Sequence, residues 1–147
     1  MAHAGWPLGT GEREEDVITK IKKDNDLTHR RLIIELDKIP IGEMNYRNIG
    51  NKTAEIGIKI CDFSKQNQGY GKIVLSMMID CLFNDFRFEK IVLDTNLNNH
   101  RAQYVYEKLG FKKMRINENH WKDQLGNNQS SVDYELVQED FVSFYKR

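Results

Sequence analysis

Ile58-Lys59-Ile60-Cys61-Asp62-Phe63-Ser64-Lys65-Gln66-Asn67-Gln68-Gly69-Tyr70-Gly71-Lys72 is the stretch whose reading decides the fold. An alternating apolar run ends in a polar loop, and two glycines one residue apart open what reads as a helix. Glycine lets backbone approach a ligand closely, and a helix start offers several N–H groups without intrahelical partners. Together they form an anion site suited to phosphate. The loop is not a P-loop, because no Gly-Lys-Ser or Gly-Lys-Thr closes it. Nor is it a dinucleotide fingerprint, since the third glycine is missing. A plain turn with glycines at positive φ is an equally good reading of the loop alone.

Working outward toward the N-terminus, Thr53 to Ile60 reads as a strand with Ala54, Ile56, Ile58 and Ile60 on one face. Asn48 to Lys52 is a turn, and Ile39 to Tyr46 is a strand. Asp37-Lys38 is a tight turn, and Leu32 to Leu36 is a strand that pairs with the one after it as an antiparallel hairpin. Glu14 to Lys23 is a short helix, with Val17, Ile18 and Ile21 at helical spacing, stopped by Asp24-Asn25-Asp26. Residues 1–13 hold three glycines without periodicity and read as a flexible leader, so residues 14–147 form the single domain.

Toward the C-terminus, Gly71 to Phe86 carries a helical apolar stripe at Val74, Met77, Met78, Cys81, Leu82 and Phe86. Lys90 to Thr95 is a strand whose Ile91-Val92-Leu93 core suits a central position. Asn98 or Asn99 caps a second helix that ends at Gly110. Phe111 to Ile116 begins a strand, Asn117 to Ser131 reads as a polar loop, Val132 to Val137 is the last strand, and a tail follows. The order is helix, three antiparallel strands, helix, strand, helix, strand, strand: an α/β (α+β) layout with one sheet.

Composition narrows the function classes. The 147 residues carry 22 basic and 22 acidic side chains, which removes the broad electrostatic argument for nucleic-acid or membrane binding. Cys61 and Cys81 have no metal-ligand spacing and no disulfide framework, so both read as packing residues and no metal is expected. No apolar run approaches the ~20 residues of a membrane span, and no signal peptide is visible. A reducing cytoplasm is the expected location.

The second chemistry-bearing stretch is Asn98-Asn99-His100-Arg101-Ala102-Gln103-Tyr104-Val105-Tyr106-Glu107-Lys108-Leu109. Asn99, Ala102, Tyr106 and Leu109 share a face. Asn99 and Tyr106 are separated by about 10 Å along it, at ~1.5 Å per residue. An elongated ligand beside the helix could touch both; equally, Asn99 could be only a cap and Tyr106 a core aromatic. Tyr104 points about 200° away from Tyr106.

Gln66-x-x-Gly69-x-Gly71 after a strand, followed by Asn99-x-x-Ala102 and Tyr106-Glu107-Lys108-Leu109-Gly110-Phe111, resembles the GNAT superfamily of acyl-CoA-dependent N-acetyltransferases. The resemblance spans about residues 14 to 140. Glu55-Ile56-Gly57 and Asp133-Tyr134-Glu135-Leu136 further resemble the branch that acetylates ribosomal-protein N-termini, spermidine and antibiotics. The resemblance implies a mostly antiparallel central sheet with helices on both faces. It also implies acetyl-CoA as co-substrate and a primary amine of a small molecule or protein N-terminus as acceptor, with the enzyme a monomer or homodimer.

Residue by residue, the resemblance implies that the main chain of Ile58, Lys59 and Ile60 bonds the pantetheine arm. Gln66, Gln68, Gly69, Tyr70, Gly71 and Lys72 surround the pyrophosphate. Asn99, with Ala102 beside it, holds a pantetheine amide, and Tyr106 protonates the leaving thiolate. A tyrosine, with a reference pKa of about 10, stays protonated at neutral pH and can donate. Glu43 and Glu55, on strands beside the cleft, are the candidates for general base. Two departures stand out. Lys72 replaces the small hydroxyl residue usual after the second glycine, and the strand and helix that family members carry before Glu14 are missing or replaced. That second departure favours the alternative reading, a non-catalytic acyl-CoA-binding or sensor module with an incomplete acceptor site.

Overall fold

Two tight turns start the sheet. Asp37 and Lys38 take φ of 51° and 67°, and Asn51 and Lys52 take 52° and 54°, the paired positive values whose twist matches that of flanking strands. The computed structural model describes residues 28–60 and 69–146, together with Glu15, Ile18, Thr19, Lys22, Asp24 and Asn25. The expected leader 1–13 and the stretch 61–68, with Cys61, Gln66 and Gln68, lie outside the described residues. Of the expected first helix, Glu15, Ile18, Thr19 and Lys22 are helical.

The two turns join β1 (His29–Leu36), β2 (Ile39–Gly50) and β3 (Thr53–Ile60) into an antiparallel meander. Then come helix α1 (Tyr70–Asn84), strand β4 (Lys90–Asn96), helix α2 (His100–Lys108) and the hairpin β5 (Lys112–Lys122) and β6 (Asn128–Val137). The sheet order is β1-β2-β3-β4-β6-β5. Only β3 and β4 run parallel, with α1 as the crossover that a parallel pair requires.

Period-2 alternation divides the sheet into two faces. Ala54 and Ile56 on β3, Ile91 and Leu93 on β4, and Val132, Tyr134 and Leu136 on β6 are buried. They pack into one core with Leu75, Met78, Ile79 and Leu82 of α1 and with Tyr106 of α2. Fully burying each such Leu or Ile is worth ~1.5–3 kcal/mol, enough to fix which face the helices cover. The residues between them, Glu55, Val92, Asp94, Asp133 and Glu135, therefore point to the opposite face.

The expected loop from Asn117 to Ser131 is corrected. β5 runs on to Lys122 and β6 begins at Asn128, leaving a turn of five residues. β5 is an edge strand with nearly every side chain exposed, so burial imposes no apolar alternation on it. Its register is broken between Asn117 and Trp121, where Asn119 takes φ 49°. The turn is held by Asp123, whose Oδ1 accepts from Leu125 N–H at 2.9 Å and Asn127 N–H at 3.0 Å. Its Oδ2 accepts from the Gln129 side-chain amide at 2.8 Å. Local side-chain bonds of this kind favour turns.

Candidate active site

The parallel pair does not stay together. β3 and β4 are joined only from Thr53 opposite Lys90 to Glu55 opposite Val92. Beyond that, β3 continues to Ile60 fully paired with β2, and β4 continues to Asn96 fully paired with β6. Each strand follows its antiparallel partner, and the two diverge toward their carboxyl ends. The inner edges of Gly57–Ile60 and Leu93–Asn96 thus face a gap. Unpaired strand edges are templates for one more extended chain. Ile58, Lys59 and Ile60 all lie along this opening, with Ile58 packed against the core and Lys59 on the opposite face.

Both helices start at the open end. α1 has Gly69 as its N-cap, at φ 82° and ψ 0°, with no side-chain cap bond and no acidic residue in its first turn. Among the described residues, a Cβ built at Gly69 or at Gly71 meets nothing within 4 Å. The first-turn amides of Tyr70, Gly71 and Lys72 have no intrahelical acceptors. A fifteen-residue helix adds its dipole there. The ammonium of Lys72 lies 5.0 Å from the centroid of Phe144. Such a cradle takes an anion at the carboxyl end of a parallel strand, where ligands of open α/β sheets bind.

α2 starts at Asn99, whose Oδ1 accepts from Ala102 N–H at 3.1 Å. That bond leaves the Asn99 amide hydrogens for other acceptors. The Gln103 side chain donates to Leu97 C=O at 2.8 Å and ties the helix to the turn before it. Two turns on, Tyr106 is 7% exposed. Its ring meets Phe111 and Tyr134 edge-on, each with centroids 5.9 Å apart. Burial pushes its hydroxyl up to about 12, with the charges of Asp94 and Tyr134 adding to the shift. Tyr104 stands out in solvent under the Lys108 ammonium, at 5.3 Å.

The carboxylates singled out in the sequence are both held by cations across the β2–β3 ladder. Glu43 pairs with Lys59 at 3.3 Å, and Glu55 pairs with Arg47 at 2.6 Å. Beside them the structure adds a group that the sequence reading passed over. A pocket of about 450 Å³ opens on the face opposite α1 and α2, lined by Glu55, Asp94, Arg115, Asp133 and Glu135 among others. Asp94 and Asp133 are direct cross-strand neighbours. Burial raises the pKa of Asp94, and Glu55 and then Asp133 raise it further, against the lowering effect of His120. The signal in the sequence was an aspartate directly after Ile91-Val92-Leu93, at the mouth of a central strand.

Residues 1–112 match the family model described as an acetyltransferase (GNAT) domain. The chain belongs to this family. It is an acetyltransferase domain, and GNAT acetyltransferases draw the acetyl group from acetyl-CoA. The same architecture recurs in solved structures. The spermidine N-acetyltransferase of Vibrio cholerae in complex with CoA and spermine is 22% identical at a TM-score of 0.79, with 88% of this chain and 78% of that one covered. A probable acetyltransferase is 19% identical at 0.78, covering 86% and 72%. The F149A mutant of the Vibrio cholerae spermidine N-acetyltransferase is 24% identical at 0.75, covering 85% and 73%. No curated protein sequence matches the chain significantly. Among the described residues, no group of three or more His, Cys, Asp or Glu side chains is placed to hold a metal. No described helix is long and apolar enough to cross a membrane.

Proposed function

We propose that this GNAT domain moves the acetyl group of acetyl-CoA to a primary amine of a small molecule or protein N-terminus, and that the acceptor is cationic. The observation that carries the reading is the divergence of β3 from β4, with the N-termini of α1 and α2 at its open end. The pyrophosphate sits on the amides of Tyr70, Gly71 and Lys72, next to Gln66 and Gln68. The pantetheine arm lies as an added strand along Ile58, Lys59 and Ile60 and meets Asn99 and Ala102, which brings the thioester to Tyr106.

A neutral amine attacks the thioester carbonyl, and the expelled sulfur takes the Tyr106 proton. Burial favours the protonated phenol, so the acid is in place throughout the neutral range. Of the described residues lining the adjoining pocket, Arg115 alone is cationic against Glu55, Asp94, Asp133 and Glu135. That field attracts ammonium groups. The structural neighbour with CoA and spermine bound lends weight to a polyamine among the possible acceptors.

The test is a screen of polyamines, peptides and aminoglycosides read by free-thiol release. Thiol release with at least one amine is expected. Tight acetyl-CoA binding with transfer to none would make the domain an acyl-CoA-binding module instead. A companion titration addresses the phosphate site. Gly69→Val puts a branched side chain at φ 82°, where only glycine is at ease, and over the helix amides. A Kd for acetyl-CoA at least tenfold weaker is expected by calorimetry; an unchanged Kd places the pyrophosphate elsewhere.

A further inference from the structure

We infer that Asp94 is the catalytic residue that takes the proton from the acceptor's ammonium, a role resting on the transferase reading above. An amine attacks only when neutral, so the site needs an acceptor for that proton beside the thioester. The carboxylates of the pocket, and Glu43 on β2, divide sharply. Glu43 is held by Lys59, Glu55 by Arg47, Asp133 by Arg115 at 3.2 Å and Glu135 by Lys90 at 3.0 Å. Among the described residues, Asp94 alone of these carboxylates has no cation on it and accepts no hydrogen bond from another residue's side chain. His120 is engaged through Nδ1 with Ser131 Oγ at 2.9 Å.

Position agrees with availability. Asp94 lies two residues past the last β3–β4 pair, where β4 leaves β3 and the gap begins. Leu93 turns inward to the core that holds Tyr106, and Asp94 turns to the pocket. The Asp94 charge helps raise the Tyr106 hydroxyl, so the two groups lie within electrostatic reach of each other. The groups facing Asp94 are Glu55 from β3, Asp133 from β6, His120 from β5 and Tyr106 from α2. Two neighbouring carboxylates and partial burial make Asp94 a better proton acceptor than a solvated aspartate, while Tyr106 keeps its proton. Environments that set two groups apart in this way define an acid and a base.

The step balances. Asp94 takes one proton from the ammonium, and the freed lone pair forms a C–N bond to the thioester carbon. The C–S bond of the adduct breaks, and the sulfur takes the Tyr106 proton. The surplus proton on the new amide nitrogen restores Tyr106, and Asp94 releases its proton to solvent. The products are an N-acetyl amine, a free thiol and one proton.

The experiment uses D94N in the full chain with the best acceptor from the screen. Expected is a kcat lower by roughly 10²-fold, the low end for one acid–base group, with the acetyl-CoA Kd unchanged. The wild type should show an acid limb in kcat/KM set by Asp94, and in D94N the rate should instead rise with pH toward the ionisation of the acceptor amine itself. An acceptor already neutral at pH 7, such as an acyl hydrazide, should react at nearly the wild-type rate.

Stability separates this role from a structural one. Folding raises the carboxyl above its ordinary value of 3.8, so folding favours the protonated form. That gain is complete below the unfolded value and is lost as pH rises through the folded one. At pH 7 the aspartate therefore costs stability, and D94N should have a Tm equal to or above the wild type. D94N with wild-type kcat, or one slowed equally with the neutral acceptor, overturns the assignment of Asp94 alone. A wild-type protein that acetylates nothing overturns the transferase reading and this one together.

Discussion

Tyr106→Phe is expected to lower kcat by roughly 10²–10⁴-fold, the range typical of one general acid, while the Kd for acetyl-CoA stays within twofold. The substitution removes one oxygen and keeps the ring that packs edge-on against Phe111 and Tyr134. The helix and the cleft should therefore survive, and the loss should fall on the step in which sulfur leaves. Single-turnover measurement of thiol release separates this outcome from slow product release. An unchanged kcat would remove Tyr106 from the chemistry. Because burial holds the hydroxyl at about 12, Tyr106 contributes no alkaline limb to the rate profile below about pH 11.

The same shift has a consequence for stability. A phenol whose folded pKa lies above its ordinary value of 10.0 stabilises the fold fully below that value. The contribution is lost as pH rises toward 12. Tyr134 is raised to about 12 as well, by burial and then by the charge of Glu107, which also accepts its hydrogen bond at 3.3 Å. Alkaline unfolding of the wild type should thus begin above about pH 10 with both tyrosines ionising. In Tyr106→Phe the decline in Tm over pH 10–12 should be shallower, since one of the two protons is gone.

The fold was legible where burial forced a pattern on the chain. Thr53 to Ile60 alternates because Ala54 and Ile56 meet a helix layer while Glu55 meets solvent, and its bounds match β3. Gly110 marked the end of α2 because only a residue at ease with positive φ fits there. β5 was invisible beyond Ile116 for the converse reason. Backbone pairing at a sheet edge places no demand on side chains that face water from both sides.

The candidate site was legible in its local parts only. Gly69, Gly71, Asn99 and Tyr106 sit in motifs local to a loop or a helix, where spacing alone suits a plain turn, a cap and a core aromatic equally well and the family resemblance made the choice. Asp94 could be found only once β3 and β4 were seen to part beside it, and once Arg47, Arg115 and Lys90 were seen to occupy the neighbouring carboxylates. Those pairings join residues far apart in sequence, and no spacing rule reports them.

Gly110→Ala should be the most destabilising single exchange at the end of α2. Gly110 has φ 104°, and a Cβ there would lie 2.0 Å from the carbonyl oxygen of Asp140 and 2.9 Å from its carbon. Both obstacles are backbone, so a side-chain rotation cannot relieve them. The position closes a Schellman motif: Phe111 N–H donates to Tyr106 C=O at 3.0 Å, and Gly110 N–H donates to Glu107 C=O at 3.1 Å. The apolar contact that completes such a motif is the one between Phe111 and Tyr106 themselves. On the far side, Val142 N–H donates to Leu109 C=O at 2.9 Å, which fixes the segment carrying Asp140 against the helix end. Positive φ costs ~1–3 kcal/mol for a residue with a Cβ, and the clash adds to it. A loss of about 3 kcal/mol or more corresponds to a Tm lower by roughly 6–12 °C in a domain of this size. Because the motif hangs on the carbonyl of Tyr106, kcat should fall as well, even well below the new Tm. A Tm within 2 °C of wild type would show that Asp140 yields freely; a lower Tm with unchanged kcat would detach the motif from the placement of Tyr106.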